Sequence, residues 1–413
     1  INTILFSQNS ISIDSCIFYA KNHYALLKNN PLNQNLSNLH IKNFNTNFYP
    51  HLNFEAKASY QSQTIDIDID TQGLPPGVEF QFLTPPLDQY NMSININQNI
   101  YDGGFTKQLK QIENKKLVLQ NLNNEIAFQQ IKEKVNEIFF GILILQKTEE
   151  QIKHSLNELQ ERRRTLRSGV KNGIVTQENY DLISATILLT QQKLIEIQEN
   201  ITAGYAVLSE IIGKIIFNSV QLYTPDTVKL VDKNIRPEIS VFNTQNELSE
   251  ANILLIKSKK LPKLGVFAVG GYGNPGLTLI KDEWNPYFIV GAKLNWNIWD
   301  WNNSSRDRQI QKIKETSILN QKETFNQSIN IRLIKLKSEI EKYHKLSEYD
   351  LKILTLHKKI CAAVSNKLQN GTANSVDYIS ALNAKEQTAI QYEIHKLKIL
   401  KYKYEYLIVT GNL

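Results

Sequence analysis

Few residues in this chain are spaced for chemistry. "GYGNPG" (271–276) satisfies G-x-G-x-x-G through Gly271, Gly273 and Gly276. A dinucleotide loop needs a helix to open there, because the helix N-terminus holds the pyrophosphate. Pro275 and a second strand-like run follow instead, so the glycines mark a hairpin turn. The seven histidines contain no H-E-x-x-H and no paired metal spacing. His344 and His357 read as solvated helix positions. Cys16 and Cys361 cannot make a disulfide framework or a metal site, and are expected to stay unpaired. Glu161 and Arg162 to Arg164 read as a solvated helix end, with a partner contact as the alternative. No Ser/His/Asp or Cys/His arrangement can be defended. The expectation is therefore no enzyme, no cofactor and no metal.

Composition narrows the class further. A chain of 413 residues can bury a sizeable core. Its excess of seven positive charges is spread along the chain and forms no nucleic-acid arm. No segment approaches the roughly 18 uninterrupted apolar residues of a membrane-spanning helix, which excludes a helical inner-membrane protein. The chain opens on Ile1 without Met or an apolar signal core, as a processed mature form would.

Proline and glycine placement defines the elements. Pro31, Pro50, Pro75, Pro76, Pro85 and Pro86 precede residue 100, none follows until Pro225, and none follows Pro286. Between Gly104 and Gly169 the only glycine is Gly141, and between Gly291 and Gly371 there is none. Both residues break helices. Two stretches of about 65 residues therefore read as single helices, each roughly 100 Å long at 1.5 Å per residue, and each needs a partner along its length. In the first, Ile131, Val135, Ile138, Ile142, Leu145, Ile152, Leu156, Leu159 and Leu166 keep a 3-4 step, with Glu149 and Arg163 interrupting. Adding 198 gives Ile329, Leu333, Leu336, Ile340 and Tyr343. This spacing specifies left-handed coiled-coil packing.

The offset of 198 recurs elsewhere. "NIYDGGFTKQLKQI" (99–112) aligns with "NIWDWNNSSRDRQI" (297–310), and "SGVKNGIVTQENY" (168–180) with "NKLQNGTANSVDY" (366–378). Asn172-Gly173 and Asn370-Gly371 supply C-cap glycines, and Thr176 and Asn374 are N-cap candidates for returning helices ending near Gly213 and Gly411. Such an offset signals internal duplication. Ahead of each long helix, apolar residues alternate with polar ones. Leu52, Phe54, Ala56, Ala58 and Tyr60 form one apolar row, Met92, Ile94, Ile96 and Ile100 a second, and Phe288, Val290, Ala292, Leu294, Trp296 and Ile298 a third. A soluble sandwich could show the same alternation. The four tryptophans, Trp284, Trp296, Trp299 and Trp301, all flank the last strand, as aromatic girdles flank a membrane barrel's apolar band. Four strands cannot close a barrel, so closure would need several copies of the chain.

Over essentially its whole length the chain resembles the TolC family of outer-membrane efflux proteins. The resemblance rests on "ISIDSCIFYAKNHYALLKNNP", which looks like the family's opening helix ending in Asn29-Asn30-Pro31. It rests also on the Pro-led strands "YPHLNFEAKASY" and "LPKLGVFAVGGYG", the junction "NIYDGG" and the two Asn-Gly turns. It implies a mainly α fold with β, in which long coiled-coil helices form an α-barrel. Four strands per chain would join a trimeric 12-stranded outer-membrane β-barrel. Residues 1–213 would form the first repeat: an N-terminal helix (about 11–46), hairpin 51–101, long helix 105–168 and return helix 177–213. An equatorial linker spans 214–238. The second repeat, 239–413, would hold a helix (about 238–260), hairpin 263–300, long helix 303–369 and return helix 375–409.

The resemblance also implies a function. The chain would be the exit duct of a tripartite efflux pump or type I secretion system, in a Gram-negative outer membrane and extending into the periplasm. Its partners would be two further copies, a periplasmic adaptor, an inner-membrane transporter and lipid. A non-transporting coiled-coil scaffold or surface adhesin is the alternative. Adaptor-contacting tips would comprise Asn172, Gly173, Ile174, Val175, Asn370, Gly371, Thr372 and Asn374. The periplasmic gate would involve Asp377, with Ser380 where the family has a second acid. The family's gate salt bridge is absent: Ala373 replaces its arginine and Asn179 its acid, with Glu178 and Asp181 beside the latter. Aromatic girdles would comprise Tyr60, Tyr101, Trp284, Tyr287, Trp296, Trp299 and Trp301. The first hairpin exceeds the second by 14 residues, and the surplus, 64–89, would lie outside the cell.

Overall fold

A computed structural model describes residues 10–64, 85–173, 175–218, 220–223, 228–278 and 282–413. The first half runs β1 (Ser10–Ser12), α1 (Ile13–His23), α2 (Asn29–Asn45), β2 (His51–Tyr60), β3 (Asp88–Tyr101), α3 (Phe105–Lys171) and α4 (Gln177–Ile212). Then come β4 (Gln221–Tyr223), α5 (Pro237–Lys259), β5 (Lys263–Asn274), β6 (Asn285–Asn295), α6 (Asn303–Gln369) and α7 (Ser375–Thr410).

The duplication is visible element by element. Helices α3 and α6 each hold 67 residues, and α4 and α7 each hold 36, at the same offset. The turns between them use Gly173 (φ 70°) and Gly371 (φ 73°), and the return helices end on Gly213 (φ 66°) and Gly411 (φ 80°). These are left-handed conformations that glycine adopts without a β-carbon penalty.

One departure from the expected layout lies near the N-terminus. In place of one helix over 11–46, α1 stops at His23, Tyr24 is extended, and a 3₁₀ turn (Ala25–Lys28) leads into α2. The Tyr24 ring packs against Phe128 at 5.8 Å. Asn29-Asn30-Pro31 thus opens a second helix within the span expected to be one. Pro31 sits in the first turn, where no N–H is needed.

The chain divides into two compact units, each drawn from both sequence halves. The first comprises the described residues of Ile1–Pro31, Gln120–Phe242 and Leu319–Leu413. Its main core is aromatic and aliphatic: Phe128, Val135, Phe139, Phe140, Ile142, Tyr205 and Leu208 are all buried. Parallel pairing of β1 with β4 edges this core. A second cluster, near the turns, holds Leu159, Leu166, Ile183, Ile187, Leu368, Tyr378 and Leu382. Cys16 lies in the first cluster and Cys361 in the second, and both thiols are free.

The second unit comprises Leu32–Leu119 and Asn243–Ile318 as far as they are described. It carries one antiparallel sheet in the order β2-β3-β5-β6. Register puts Phe54 opposite Ile94, Ile94 opposite Gly270, and Gly270 opposite Phe288, so the middle of one face is apolar. The other face aligns Glu55, Ser93, Gly271 and Tyr287. A bulge between Asn99 and Tyr101 ends the β3 ladder just before α3 begins.

Candidate functional site

The two helix-turn-helix tips of the first unit are built alike and tied together. Asn374 caps α7 in a capping box: its Oδ1 accepts from the Asp377 amide (2.9 Å), and Asp377 Oδ2 accepts from the Asn374 amide (3.2 Å). Thr176 stands at the N-cap of α4 without a side-chain bond to the helix backbone, and its Oγ1 accepts instead from Asn179 Nδ2 at 2.8 Å. Asn179 Oδ1 then accepts from the Ser375 amide at 3.0 Å, joining the start of α4 to the start of α7. Thr372 Oγ1 donates to the Lys367 carbonyl at 3.1 Å.

The expected tip residues Asn172, Gly173, Asn370, Gly371, Thr372 and Asn374 are exposed and Val175 half-buried; Ile174 lies outside the described residues. Among the gate candidates, Asp377, Ser380, Glu178 and Asp181 are exposed. Asp377 already serves its own helix cap, and Asp181 Oδ1 accepts from Gln177 Nε2 at 2.8 Å.

Arg162 is the residue that sequence reasoning underweighted. Far from being a solvated helix end, it is buried, with its guanidinium 4.6 Å above the Tyr378 ring and a donor on Ser365 Oγ. It therefore clamps α3 to α6 and α7 just behind the tips. The spacing pointed one residue away: the 3-4 step from Leu159 to Leu166 puts Arg163 on the seam, whereas the structure buries Arg162 and leaves Arg163 half-buried. Behind the clamp, a cavity of about 740 Å³ is lined by Glu158, Cys361, Tyr378, Lys385 and Glu386 among others. Lys385 Nζ bridges Glu158 (2.5 Å) and Glu386 (3.2 Å), and burial pushes the Glu386 carboxyl up while Lys385 opposes it.

In the second unit the aromatic residues gather at both ends of the sheet. Trp284 stacks between Tyr90 (5.9 Å) and Tyr272 (5.3 Å) at the turn end, where register also places Tyr60. Tyr101, Trp296, Trp299 and Trp301 mark the helix end. Tyr287 does not join them. Alternation puts it on the polar face, where its ring covers Gly271 and its hydroxyl donates to Asn91 Oδ1 at 2.6 Å. The strand-to-helix junctions match as well. Asp102 accepts from the Gly104 (2.9 Å) and Thr106 (2.7 Å) amides, and Asp300 accepts from the Ser304 amide (3.0 Å) and hydroxyl. These bonds, with Lys260 at 3.3 Å, hold the Asp300 carboxyl at about 2.

Residues 26–214 match the family model described as outer membrane efflux protein. Over those residues the chain is similar to that family. The fold extends the likeness to nearly the whole chain. The outer membrane protein VceC from Vibrio cholerae superposes with TM-score 0.68 and 13% identity, covering 97% of this chain and 96% of its own. The outer-membrane channel OprN gives 0.72 and 11%, covering 97% and 90%. The Neisseria gonorrhoeae MtrE outer membrane channel, solved in its open state, gives 0.67 and 14%, covering 97% and 89%. No curated protein sequence matches the chain. At such identities the superpositions establish the fold alone: it is that of a TolC-like outer-membrane channel. The efflux-protein fold thus accounts for the repeat, the paired tips and the sheet in one arrangement.

Proposed function

We propose that three copies of this chain close one outer-membrane barrel, from which the helices continue as an export duct through the periplasm. The observation that carries this reading is a sheet that is incomplete in one chain. Among the described residues, β2 pairs only with β3 and β6 only with β5, so both outer edges are open. Its apolar face is bare: Leu52, Phe54, Phe288, Val290 and Leu294 are 66–77% exposed. A free edge beside a bare apolar face is an aggregation hazard in water, whereas closure in lipid satisfies both.

The helices support the same reading. Helix α6 buries Ile329, Leu336, Ile340, Tyr343, Leu354, Cys361 and Leu368 within the chain. A second row, Leu346, Tyr349, Ile353, Leu356 and Ile360, repeats at the 3-4 step and is wholly exposed. A second coiled-coil seam calls for a second helix partner, supplied here by a neighbouring copy. The exposed tips would dock on a periplasmic adaptor that joins the duct to an inner-membrane transporter. A soluble scaffold explains the seam but leaves the bare sheet face without a purpose.

The test is mass and conductance. Detergent-extracted protein should weigh as three chains and form discrete single channels in planar bilayers. A monomer that conducts, or a trimer that never does, would overturn the reading.

A further inference from the structure

The two strand-to-helix junctions share one backbone shape but not one set of residues. Both place two successive residues in the left-handed region. The first uses Gly103 (φ 71°) and Gly104 (φ 80°), while the second uses Trp301 (φ 53°) and Asn302 (φ 61°). Asparagine tolerates that region, but tryptophan is strained there by its β-carbon. Packing does not account for the choice. A β-carbon on Gly103 would meet Leu261 Cβ at 2.8 Å and the Ser258 carbonyl at 2.9 Å, so a side chain is excluded from the first copy. In the second copy the indole of Trp301 is 76% exposed and meets Trp299 edge-on at 5.8 Å. Strain retained to hold a large apolar ring in the open points to something outside the chain.

The surroundings indicate what that is. Trp296 Nε1 donates to the Lys260 carbonyl (3.0 Å), and Lys260 Nζ reaches Asp300 (3.3 Å), tying the last turn of α5 to this junction. That turn carries Lys257 and Lys259, and the first turn of α6 carries Arg306; all three are exposed. The acids nearby are largely spent: Asp300 is taken by Ser304 and Lys260, and Asp102 is buried in its own cap, leaving Asp307. Indole rings at the end of an apolar face, with cations just beyond them, match the order of a bilayer interface from acyl chain to headgroup.

We infer that Trp299, Trp301, Lys257, Lys259 and Arg306 form a built contact for anionic phospholipid headgroups on the helix side of the sheet. The occupant is lipid, because the three cations suit headgroup phosphate and the indoles beside them suit the boundary between headgroup and acyl chain. The inference rests on the membrane-spanning reading of the sheet.

The experiment uses the full chain reconstituted in phosphatidylcholine vesicles containing equal small fractions of brominated phosphatidylcholine or brominated phosphatidylglycerol. Each Lys or Arg near an anionic surface is worth about fivefold in local enrichment. Brominated phosphatidylglycerol should therefore quench tryptophan emission more strongly than its neutral counterpart. The Lys257→Gln/Lys259→Gln/Arg306→Gln triple variant should lose that excess and keep the neutral-lipid quenching. Trp301→Gly, which copies the first junction, should melt no lower than wild type in detergent and lose part of the quenching. Equal quenching by the two lipids in the wild type overturns the inference. So does a Trp301→Gly variant that melts lower with quenching unchanged, since Trp301 would then be a packing residue. A channel that conducts with no quenching by either lipid assigns the rim to a neighbouring copy, overturning this inference and sparing the channel. A chain that neither inserts nor conducts removes both readings.

Discussion

Two carboxylates of the second repeat make separable predictions. Asp300 titrates at about 2 instead of its ordinary 3.8, because the Ser304 hydroxyl and amide hold the charged form. A depressed folded value means that the ion stabilises the native state above pH 3.8, and that this is lost as pH falls from 3.8 through about 2. Asp300→Asn should therefore lower the melting temperature at neutral pH, and the gap to wild type should close near pH 2. A gap independent of pH would show that the charge contributes nothing. Asp377 differs, because an asparagine there can keep both capping-box bonds: an amide oxygen still accepts from the Asn374 amide, and the backbone N–H still donates. Asp377→Asn is thus a nearly pure charge deletion, costing under about 1 kcal/mol through the helix dipole. With three copies around an axis it should weaken cation selectivity and cation block of single channels. Unchanged reversal potentials would leave Asp377 as a helix cap alone.

At the scale of an element, the tips offer the cleanest variant. Gly371 sits at φ 73° with open space around its Cα, so any side chain there projects into solvent and is strained by about 1–2 kcal/mol. Gly371→Ala adds the strain without the bulk, and Gly371→Trp adds both. Tip docking on an adaptor requires that export survives the alanine and fails with the tryptophan, at equal trimer yield. Export intact in both would refute docking at this turn. Asn179 and Arg162 make the tips one mechanical unit: the first ties α4 to α7 and the second ties α3 to α6 and α7, so a bulky residue on one turn loads both.

For the whole molecule, the orientation of the sheet is the open quantity. The surplus of the first hairpin falls in 64–89, of which 65–84 lie outside the described residues. Barrel loops are longer on the extracellular side, so protease added to intact cells should cut within 64–89. Protection in intact cells, with cleavage after the outer membrane is opened, would reverse the orientation. The headgroup contact at the opposite end of the sheet belongs to the same axis, since both follow from which end faces the periplasm.

Much of this architecture was legible in the chain because it depends on periodicity and breakers, which are local properties. The gap of 64 residues between Gly104 and Gly169, without Pro or Gly beyond Gly141, allowed α3, the 3-4 step of Ile131 to Leu166 gave its packed face, and the offset of 198 exposed the second copy. Alternation in β3 and β6 likewise told the faces apart before register was known. What lay beyond reach was set by three-dimensional neighbours. Tyr287 seemed a girdle residue by its place beside Trp284, yet its parity and the bare Cα of Gly271 turn it to the polar face. Arg162 read as a solvated charge, yet Tyr378, 216 positions later, supplies the ring that it covers. Trp301 read as one more interfacial tryptophan, and only the backbone angle shows that it occupies a glycine's conformation. Sequence alone determined the long helices, the hairpin strands and their repetition, because helix and strand periods are written in neighbouring residues; the break at Tyr24 and the β1–β4 pair were not legible there. Tertiary structure alone decided the clamps, the facing of single side chains and the strain, because each depends on atoms that chain order keeps far apart.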